Sequence, residues 1–136
     1  RYSTLDRTVE KNGLKETAAK LGKGIITFSP LAQGRLTDRY LHGIPADSRV
    51  HTDGRFLKES DLTPELLGRI AKLNDLAAAR GQTLAEMALA WLLAKEEITS
   101  VLIGASRPRQ ILDNIKAVEN TGFTAEELAE IDRLSV

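Results

Sequence analysis

The strongest constraint on the fold of this chain is a pair of short apolar runs, Gly24–Phe28 and Thr99–Ile103. Neither run alternates apolar with polar residues, which is typical of parallel strands that are covered on both faces. Parallel strands also need a neighbour at each edge, because an unpaired edge leaves backbone N–H and C=O groups without partners. Two strands do not complete such a sheet. We therefore expect the chain to form one sector of a larger parallel sheet or barrel.

Helical patterns flank both runs and give the α/β order that such a sheet requires. One helix is predicted from about Thr8 to Leu21, interrupted by Gly13, and another from Pro64, behind the N-cap Thr63, to Gly81. Three more follow, with apolar positions at Leu84, Met87, Ala88, Leu89, Trp91 and Leu92, then at Ile111, Ile115 and Val118, and finally at Leu128, Ile131 and Leu134. The first of these three is apolar nearly all round, so we expect it to be buried with Trp91 in the core.

The segment from Leu31 to about Asp61 is polar and rich in Gly and Arg, which predicts a long loop. Loops of this length in compact domains are usually functional or disordered. Its two histidines, His42 and His51, have no carboxylate at metal-ligand spacing and no nucleophile motif beside them, so we interpret both as surface residues. Asp38 and Asp47 carry no signal beyond that of loop carboxylates.

Composition excludes several classes of function. The 136 residues include 19 Lys and Arg, 19 Asp and Glu, and no Cys, so the net charge is zero and a nucleic-acid partner is not expected. No apolar run approaches the length of a membrane span, so we expect no membrane insertion. The lack of cysteine excludes disulfides and thiolate chemistry and fits a cytoplasmic protein. The chain does not begin with Met, so a processed or truncated product is one interpretation.

The strongest candidate for chemistry is the turn Gly104–Gln110, which leads from the second run into a helix. Glycine allows close approach of a ligand, and the unpaired N–H groups of a helix N-terminus attract anions such as phosphate. Arg107 and Arg109 strengthen this interpretation. An ordinary N-cap at Ser106 with solvated arginines is the alternative.

The second candidate is the segment Phe28–Ala32, which directly follows the first run. In a parallel barrel these residues would lie at the carboxyl face, where such barrels bind ligands, and Phe28 could stack on a planar ring. The alternative places Phe28 in the core beside a plain Ser-Pro turn. The loop arginines Arg35, Arg39 and Arg49 could clamp a phosphate or could be solvated.

Three segments carry a family resemblance: Phe28-Ser29-Pro30-Leu31-Ala32-Gln33-Gly34-Arg35-Leu36-Thr37, Gly43-Ile44-Pro45-Ala46-Asp47-Ser48-Arg49, and Ser100-Val101-Leu102-Ile103-Gly104-Ala105-Ser106 with Gln110, Asp113 and Asn114. Together they resemble the C-terminal part of an aldo-keto reductase. The branch they resemble most contains the potassium-channel β-subunits and glyceraldehyde 3-phosphate reductase-like enzymes. The resemblance runs from Tyr2 to the last helix.

The resemblance implies a (β/α)₈ barrel, of which residues 1–136 would form one partial domain running from the end of the sixth strand to the last helix. It also implies NADP(H) as the cofactor. Phe28 would stack on the nicotinamide, and the pyrophosphate would be lined by Ser29, Pro30, Leu31, Ala32 and Gln33, with Arg39 and Arg49 in the covering loop. Gly104, Ser106 and Gln110 would hold the 2′-phosphate end, and Asp113 and Asn114 the adenine.

The implied activity is hydride transfer to the carbonyl carbon of a small aldehyde or ketone. The family's catalytic Asp, Tyr, Lys and His have no counterpart in this chain, so we expect no catalytic residue or metal ligand here and no activity from the isolated chain. The remainder of the barrel is then the implied partner. A redox-sensing regulatory subunit of the channel β-subunit type and an inactive truncated fragment stay open as alternatives, as does assembly into a homo-oligomer.

Overall fold

A computed structural model describes residues 1–135, with two parallel strands at its centre, β1 (Ile25–Thr27) and β2 (Ile98–Val101). Ile25 lies opposite Ile98 and Thr27 opposite Val101. The parallel pairing confirms the prediction, although β2 begins and ends earlier than the run Thr99–Ile103. Past the end of β2, the N–H of Leu102 still donates to the carbonyl of Thr27 at 2.8 Å.

At the carboxyl end of β1, the edge that does not face β2 also has a neighbour. The backbone N–H of Tyr2 donates to the carbonyl of Phe28 at 3.2 Å. The N-terminal segment then turns through a bridge between Ser3 and Asp6. The end of β1 therefore lies between the N-terminal segment on one side and β2 on the other.

The two faces of this small sheet differ in burial. β2 packs against a buried helix, and Ile98 and Thr27 are buried. On the opposite face, the side chains of Ile26 and Leu102 are 62% and 58% exposed. The expectation that both faces are covered is therefore not met within residues 1–135, because no described element lies over the second face.

Six α-helices are described within residues 1–135: α1 (Leu14–Lys20), α2 (Arg49–Thr52), α3 (Pro64–Ala79), α4 (Leu84–Leu93), α5 (Pro108–Asn114) and α6 (Ala125–Ser135). Shorter 3₁₀ turns lie at Thr8–Glu10, Ala32–Gly34, Asp38–Tyr40, Glu59–Asp61 and Ile115–Glu119. The predicted helix from Thr8 to Leu21 is wrong in its first half. Gly13 has a φ of +77°, a left-handed angle that ends the first turn and lets α1 begin at Leu14.

The core is built around α4, as its all-apolar pattern predicts. The Thr83 hydroxyl caps the helix by accepting a hydrogen bond from the N–H of Glu86 at 3.1 Å. In turn, the Glu86 carboxylate accepts one from the N–H of Thr83 at 3.3 Å. Trp91 is 2% exposed, which confirms its place in the core. The ring of Tyr2 meets it edge-on at 5.4 Å between centroids, and the Lys95 ammonium lies 4.1 Å from the Trp91 ring. Burial lowers the pKa of Lys95.

A single buried arginine joins the end of α3 to the start of α6. The Arg80 guanidinium lies 3.7 Å from the centre of the Phe123 ring. It donates to the carbonyls of Gly122 at 2.9 Å and Asn120 at 3.3 Å, and it pairs with the Glu127 carboxylate. The Glu127 side chain also accepts from the N–H of Thr124 at 3.0 Å, and the Thr124 hydroxyl accepts from the N–H of Glu127 at 3.1 Å, so the two residues form a capping box at the start of α6.

The long polar segment after β1 is more ordered than the sequence predicts. It holds three of the 3₁₀ turns and α2, and it has a small hydrophobic cluster formed by Tyr40, Leu57 and Leu62. His42 and His51 are exposed on it, as expected. None of the helices in the described range is both long enough and apolar enough to cross a bilayer.

Candidate functional site

The carboxyl ends of β1 and β2 lie side by side because the two strands are parallel neighbours. Phe28 directly follows β1, and the Gly104 turn begins three residues after Val101, the last residue of β2. The two candidate segments that the sequence identified are therefore at the same edge of the sheet. In open and closed parallel sheets alike, this edge is where ligands bind.

The loop after β1 has an unusual backbone. Ser29, Ala32 and Gln33 have φ angles of +56°, +49° and +63°, in the left-handed region that favours glycine. Each such residue costs about 1–3 kcal/mol and persists only where the surrounding structure enforces it, most often at ligand-binding sites. The Gln33 Oε1 atom is also buried without a hydrogen-bond partner. This concentration of strain in five residues marks the loop as a candidate binding element.

Phe28 is available to a ligand. Its side chain is 51% exposed, so the interpretation that it is a core residue is wrong. Pro30 and Ala32 are buried behind it and anchor the loop to the protein. An exposed aromatic ring on a fixed strand end is suited to stacking on a planar heterocycle.

The turn after β2 is ordered by the side chain of Gln110. Its Oε1 atom accepts hydrogen bonds from the N–H groups of Ser106 at 2.8 Å and Arg107 at 3.2 Å, and from the Ser106 hydroxyl at 3.2 Å. Arg107 occupies the N-cap position of α5. The alternative in which Ser106 caps the helix is therefore wrong. Gly104 is exposed, and a Cβ atom built on it would meet nothing within 4 Å, so the turn is open to a ligand.

Asp47 connects the two halves of this edge. Its Oδ1 lies 3.0 Å from Nη2 of Arg39, which also donates to the Asp47 carbonyl at 2.9 Å, and its Oδ2 lies 3.7 Å from Nη2 of Arg107. The loop after β1 and the turn after β2 are thus linked by one carboxylate between two arginines. Sequence reasoning missed Asp47, because Arg107 is remote in the chain and no local motif pairs Asp47 with Arg39.

The other residues that the sequence predicts to bind the cofactor, Arg49, Asp113 and Asn114, lie on α2 and α5. Arg49 begins α2 and is exposed, and no ion pair within the described range links it to Asp47. Asp113 accepts from Nε of Arg109 at 3.1 Å and lies 3.3 Å from the Lys116 ammonium. The hydrogen bond from Arg109 holds the pKa of the Asp113 carboxyl below its usual value. Asn114 is buried at the end of α5.

Residues 1–135 contain no cluster of three or more His, Cys, Asp or Glu side chains that could hold a metal ion. Both tyrosines, Tyr2 and Tyr40, are buried in hydrophobic clusters, and burial together with a hydrogen bond to Glu10 raises the pKa of Tyr2. The exposed Phe28 ring and the open Gly104 turn at this edge suit a planar ring and an anionic group.

Comparison with known proteins identifies the class: the sequence profile of the aldo/keto reductase family matches residues 1–136, and the chain belongs to this family. It is 49% identical over 137 aligned positions to an L-glyceraldehyde 3-phosphate reductase of Escherichia coli O157:H7, and 48% identical to the protein of that name in strain K12. Both alignments cover 97% of this chain and 39% of the relative.

A third relative is 35% identical and comes from Schizosaccharomyces pombe, where it carries the provisional name voltage-gated potassium channel subunit beta. That alignment covers 98% of this chain and 40% of the relative. The chain therefore spans about two fifths of the length of the curated relatives it matches. These findings confirm the resemblance seen in the sequence.

Proposed function

We propose that this chain binds NADP(H) and forms the cofactor-binding C-terminal part of a (β/α)₈ barrel enzyme that reduces small aldehydes or ketones to alcohols. The observation that carries the proposal is the edge shared by β1 and β2, where Phe28 and the Gly104 turn lie side by side and Asp47 links the loops around them. Family membership and the reductase relatives support the same class of reaction.

The residues at this edge fit the chemical groups of NADP(H). The exposed Phe28 ring suits the nicotinamide, and the strained loop Ser29–Gln33 with Arg39 and Arg49 suits the pyrophosphate. Gly104, Ser106 and Gln110 would hold the 2′-phosphate end, with adenine near Asp113 and Asn114. The cofactor supplies a hydride when bound, and the residues of this chain orient it and neutralise its phosphates.

A titration with NADPH tests the proposal. We expect the complete polypeptide to bind NADPH with quenching of tryptophan emission and a rise in Tm, because a ligand at 100 times its Kd stabilises the folded state by about 2.7 kcal/mol. Phe28→Ala should weaken NADPH binding by about tenfold, since base stacking on an aromatic ring contributes about 1–3 kcal/mol.

Phe56→Ala is the matched control, because Phe56 is also exposed but is not among the residues proposed to bind the cofactor. It should bind NADPH like the unmodified protein. Unchanged emission and Tm at millimolar NADPH would refute the proposal. Equal affinities for the two variants would exclude Phe28 from the site.

The catalytic residues are proposed to lie in the part of the relatives that this chain does not span. The 136-residue chain alone should then show no carbonyl reduction in an NADPH-consumption assay, and measurable turnover would place the catalytic groups here instead. The potassium-channel relative favours a second candidate, a redox-sensing regulatory subunit. Fast turnover by the complete polypeptide would support the enzyme, and slow turnover with a stable membrane partner would support the regulatory subunit. We propose the cytoplasm as its location.

A further inference from the structure

A lysine just after α4 lies in an unusual environment. Lys95 follows the last residue of the helix by two positions, and its side chain is 24% exposed. Its ammonium lies 4.1 Å from the centre of the Trp91 ring and 5.9 Å from the centre of the Tyr2 ring. The two rings take the place of part of the water that would surround the charge. The amine is therefore partly desolvated while its side chain still reaches solvent.

Two further cations lie around the same pair of rings. The Lys15 ammonium, from α1, is 6.0 Å from the centre of the Tyr2 ring, and the Arg7 guanidinium is 4.7 Å from the centre of the Trp91 ring. Three positive side chains thus share two aromatic rings. Like charges at this range disfavour the protonated form of the one that is most easily deprotonated, which is a lysine rather than an arginine.

Carboxylates neutralise this cluster unevenly. The three carboxylates that reach it are Glu10, Glu97 and Asp132. Glu97 pairs with Lys15, and Asp132 pairs with Arg7. Lys95 pairs with Glu10 across 3.7 Å, which is long for an ion pair, and the same Glu10 oxygen accepts a hydrogen bond from the Tyr2 hydroxyl. Within the described residues, Lys95 therefore has one ion-pair partner, which it shares.

These surroundings favour the neutral amine. Burial lowers the pKa of Lys95, and the positive charges of Lys15 and Arg7 act in the same direction. Glu10 and Glu97 oppose this lowering of the pKa without cancelling it. An amine attacks a carbonyl group only in its unprotonated form. Lysines that are desolvated or lie beside another cation are the ones that form imines with carbonyl compounds.

We propose that Lys95 is a covalent reaction site for small aldehydes, which it binds as an imine. The lone pair of Nζ forms a bond to the carbonyl carbon while the π pair of the C=O bond moves to oxygen. The nitrogen loses a proton and the oxygen gains one, which gives a carbinolamine. Loss of water then forms the C=N bond, so no oxidant or reductant is needed. The Glu10 carboxylate, 3.7 Å from Nζ, is placed to carry the proton from nitrogen to oxygen.

This site is separate from the edge that is proposed to bind NADP(H). The N–H of Ile98, the first residue of β2, donates to the Lys95 carbonyl at 3.0 Å, so Lys95 lies at the opposite end of the strand from the Gly104 turn. A neutral imine lacks the charge that faces Glu10 and the Trp91 ring, so the reaction weakens contacts between α4 and the N-terminal segment. The inference needs only the aldehyde and does not depend on the proposed function.

Reductive trapping of the complete polypeptide tests the site. The protein is incubated with propanal and cyanoborohydride, which reduces the imine to a stable secondary amine, and peptide mass spectrometry then locates the label. NADPH is left out so that no aldehyde is consumed. We expect Lys95 to be labelled several-fold faster than Lys20, an exposed lysine in the last turn of α1. The rate at Lys95 should also reach half its maximum at a lower pH.

Two matched variants test whether the cluster causes this preference. Lys15→Gln removes a neighbouring cation and leaves Glu97 without its lysine partner, and both changes favour the ammonium form of Lys95. It should slow the labelling of Lys95 several-fold. Lys20→Gln loses the same charge from the same helix but lies outside the cluster, so the rate at Lys95 should stay unchanged.

The inference is overturned if the native protein labels Lys95 no faster than Lys20, a comparison that needs no variant. It is also overturned if Lys15→Gln and Lys20→Gln label Lys95 at the same rate. In urea the two lysines should react equally. A preference for Lys95 that survives unfolding would assign the effect to its sequence neighbours and would reject the cluster as its cause.

A separate NADPH titration distinguishes this inference from the proposed function. Preferential labelling of Lys95 in a protein that does not bind NADPH rejects only the proposed function. Normal NADPH binding without preferential labelling rejects only the inference about Lys95.

Discussion

Ser29, Ala32 and Gln33 hold left-handed backbone angles within five residues, and Gln33 offers the cleanest way to measure their cost. We expect Gln33→Gly to be more stable than Gln33→Ala by about 1 kcal/mol, because both lose the amide and only glycine adopts a positive φ without penalty. Urea unfolding of the two variants measures the difference. Equal free energies of unfolding would mean that the loop is not strained at this residue.

Asp47 changes the local charge around Arg39 and Arg107 more than it changes the free energy of unfolding. Its side chain is 64% exposed, and exposed ion pairs contribute little to folding. Asp47→Asn leaves Arg39 and Arg107 without their shared carboxylate. We therefore expect NADPH to associate several-fold faster at low ionic strength, with the difference lost at high salt. Stopped-flow fluorescence measures the rate.

Asp38→Asn is the control for that experiment, because Asp38 is an exposed carboxylate of the same loop without an ion pair to either arginine. Its association rate should rise far less than that of Asp47→Asn. A similar rise for both variants would mean that general loop charge, rather than the link between the arginines, controls the encounter.

Candidate site residues could be predicted from the sequence where a local pattern marks them. The sequence pointed to Phe28 and the Gly104 turn because each follows an apolar run. It could not predict the positive φ angles, since Ser, Ala and Gln favour other conformations in isolation. It also missed Asp47, whose role depends on contacts between distant segments.

Arg80 is the clearest link between helices α3 and α6, with a side chain that is 3% exposed. Arg80→Lys should lower the free energy of unfolding by about 2 kcal/mol, because an ammonium cannot serve two carbonyls, Glu127 and the Phe123 ring at once. Arg133→Lys makes the same change in an exposed pair with Glu130 and should lower the free energy of unfolding far less, because solvent screens exposed ion pairs. Chemical denaturation that gives equal losses would contradict this account.

At the scale of elements, apolar periodicity predicted α3, α4 and α6, and the N-cap Thr63 was predicted as well. Thr63, Thr83 and Thr124 each accept a hydrogen bond from a backbone N–H at the start of these helices. The first helix was placed too early because a glycine within a helical pattern can either be tolerated or end the turn. The long loop was judged from its polar composition. Its cluster of Tyr40, Leu57 and Leu62 has no periodic spacing that a sequence pattern could reveal.

At the scale of the whole molecule, large apolar side chains are exposed in two places. Ile26 and Leu102 lie on the second face of the sheet, and Ile111, Leu112, Ile115 and Val118 lie on α5 and the turn after it. Exposed apolar patches mark interfaces. We expect the 136-residue chain alone to bind a hydrophobic dye and to self-associate, as measured by fluorescence and light scattering.

Ile26→Lys should reduce both signals in the isolated chain and lower the Tm of the complete polypeptide, because the proposed barrel buries this position. Leu21→Lys, at the exposed end of α1, should change neither the Tm nor the dye signal substantially. An Ile26→Lys variant that leaves the Tm of the complete polypeptide unchanged would place Ile26 outside the interior of the barrel.

The hydrophobic cluster of Tyr40, Leu57 and Leu62 makes the segment between β1 and α3 partly self-supporting. A stretch that brings its own packing can be transplanted as a unit, since its contacts are mostly internal. Chimeras that exchange residues 38–62 between relatives should therefore keep β1 and Phe28 in place while they replace Arg39, Asp47 and Arg49 together. One packing unit thus carries both its own stability and a set of charges beside the strand ends, so the two can be exchanged in a single step.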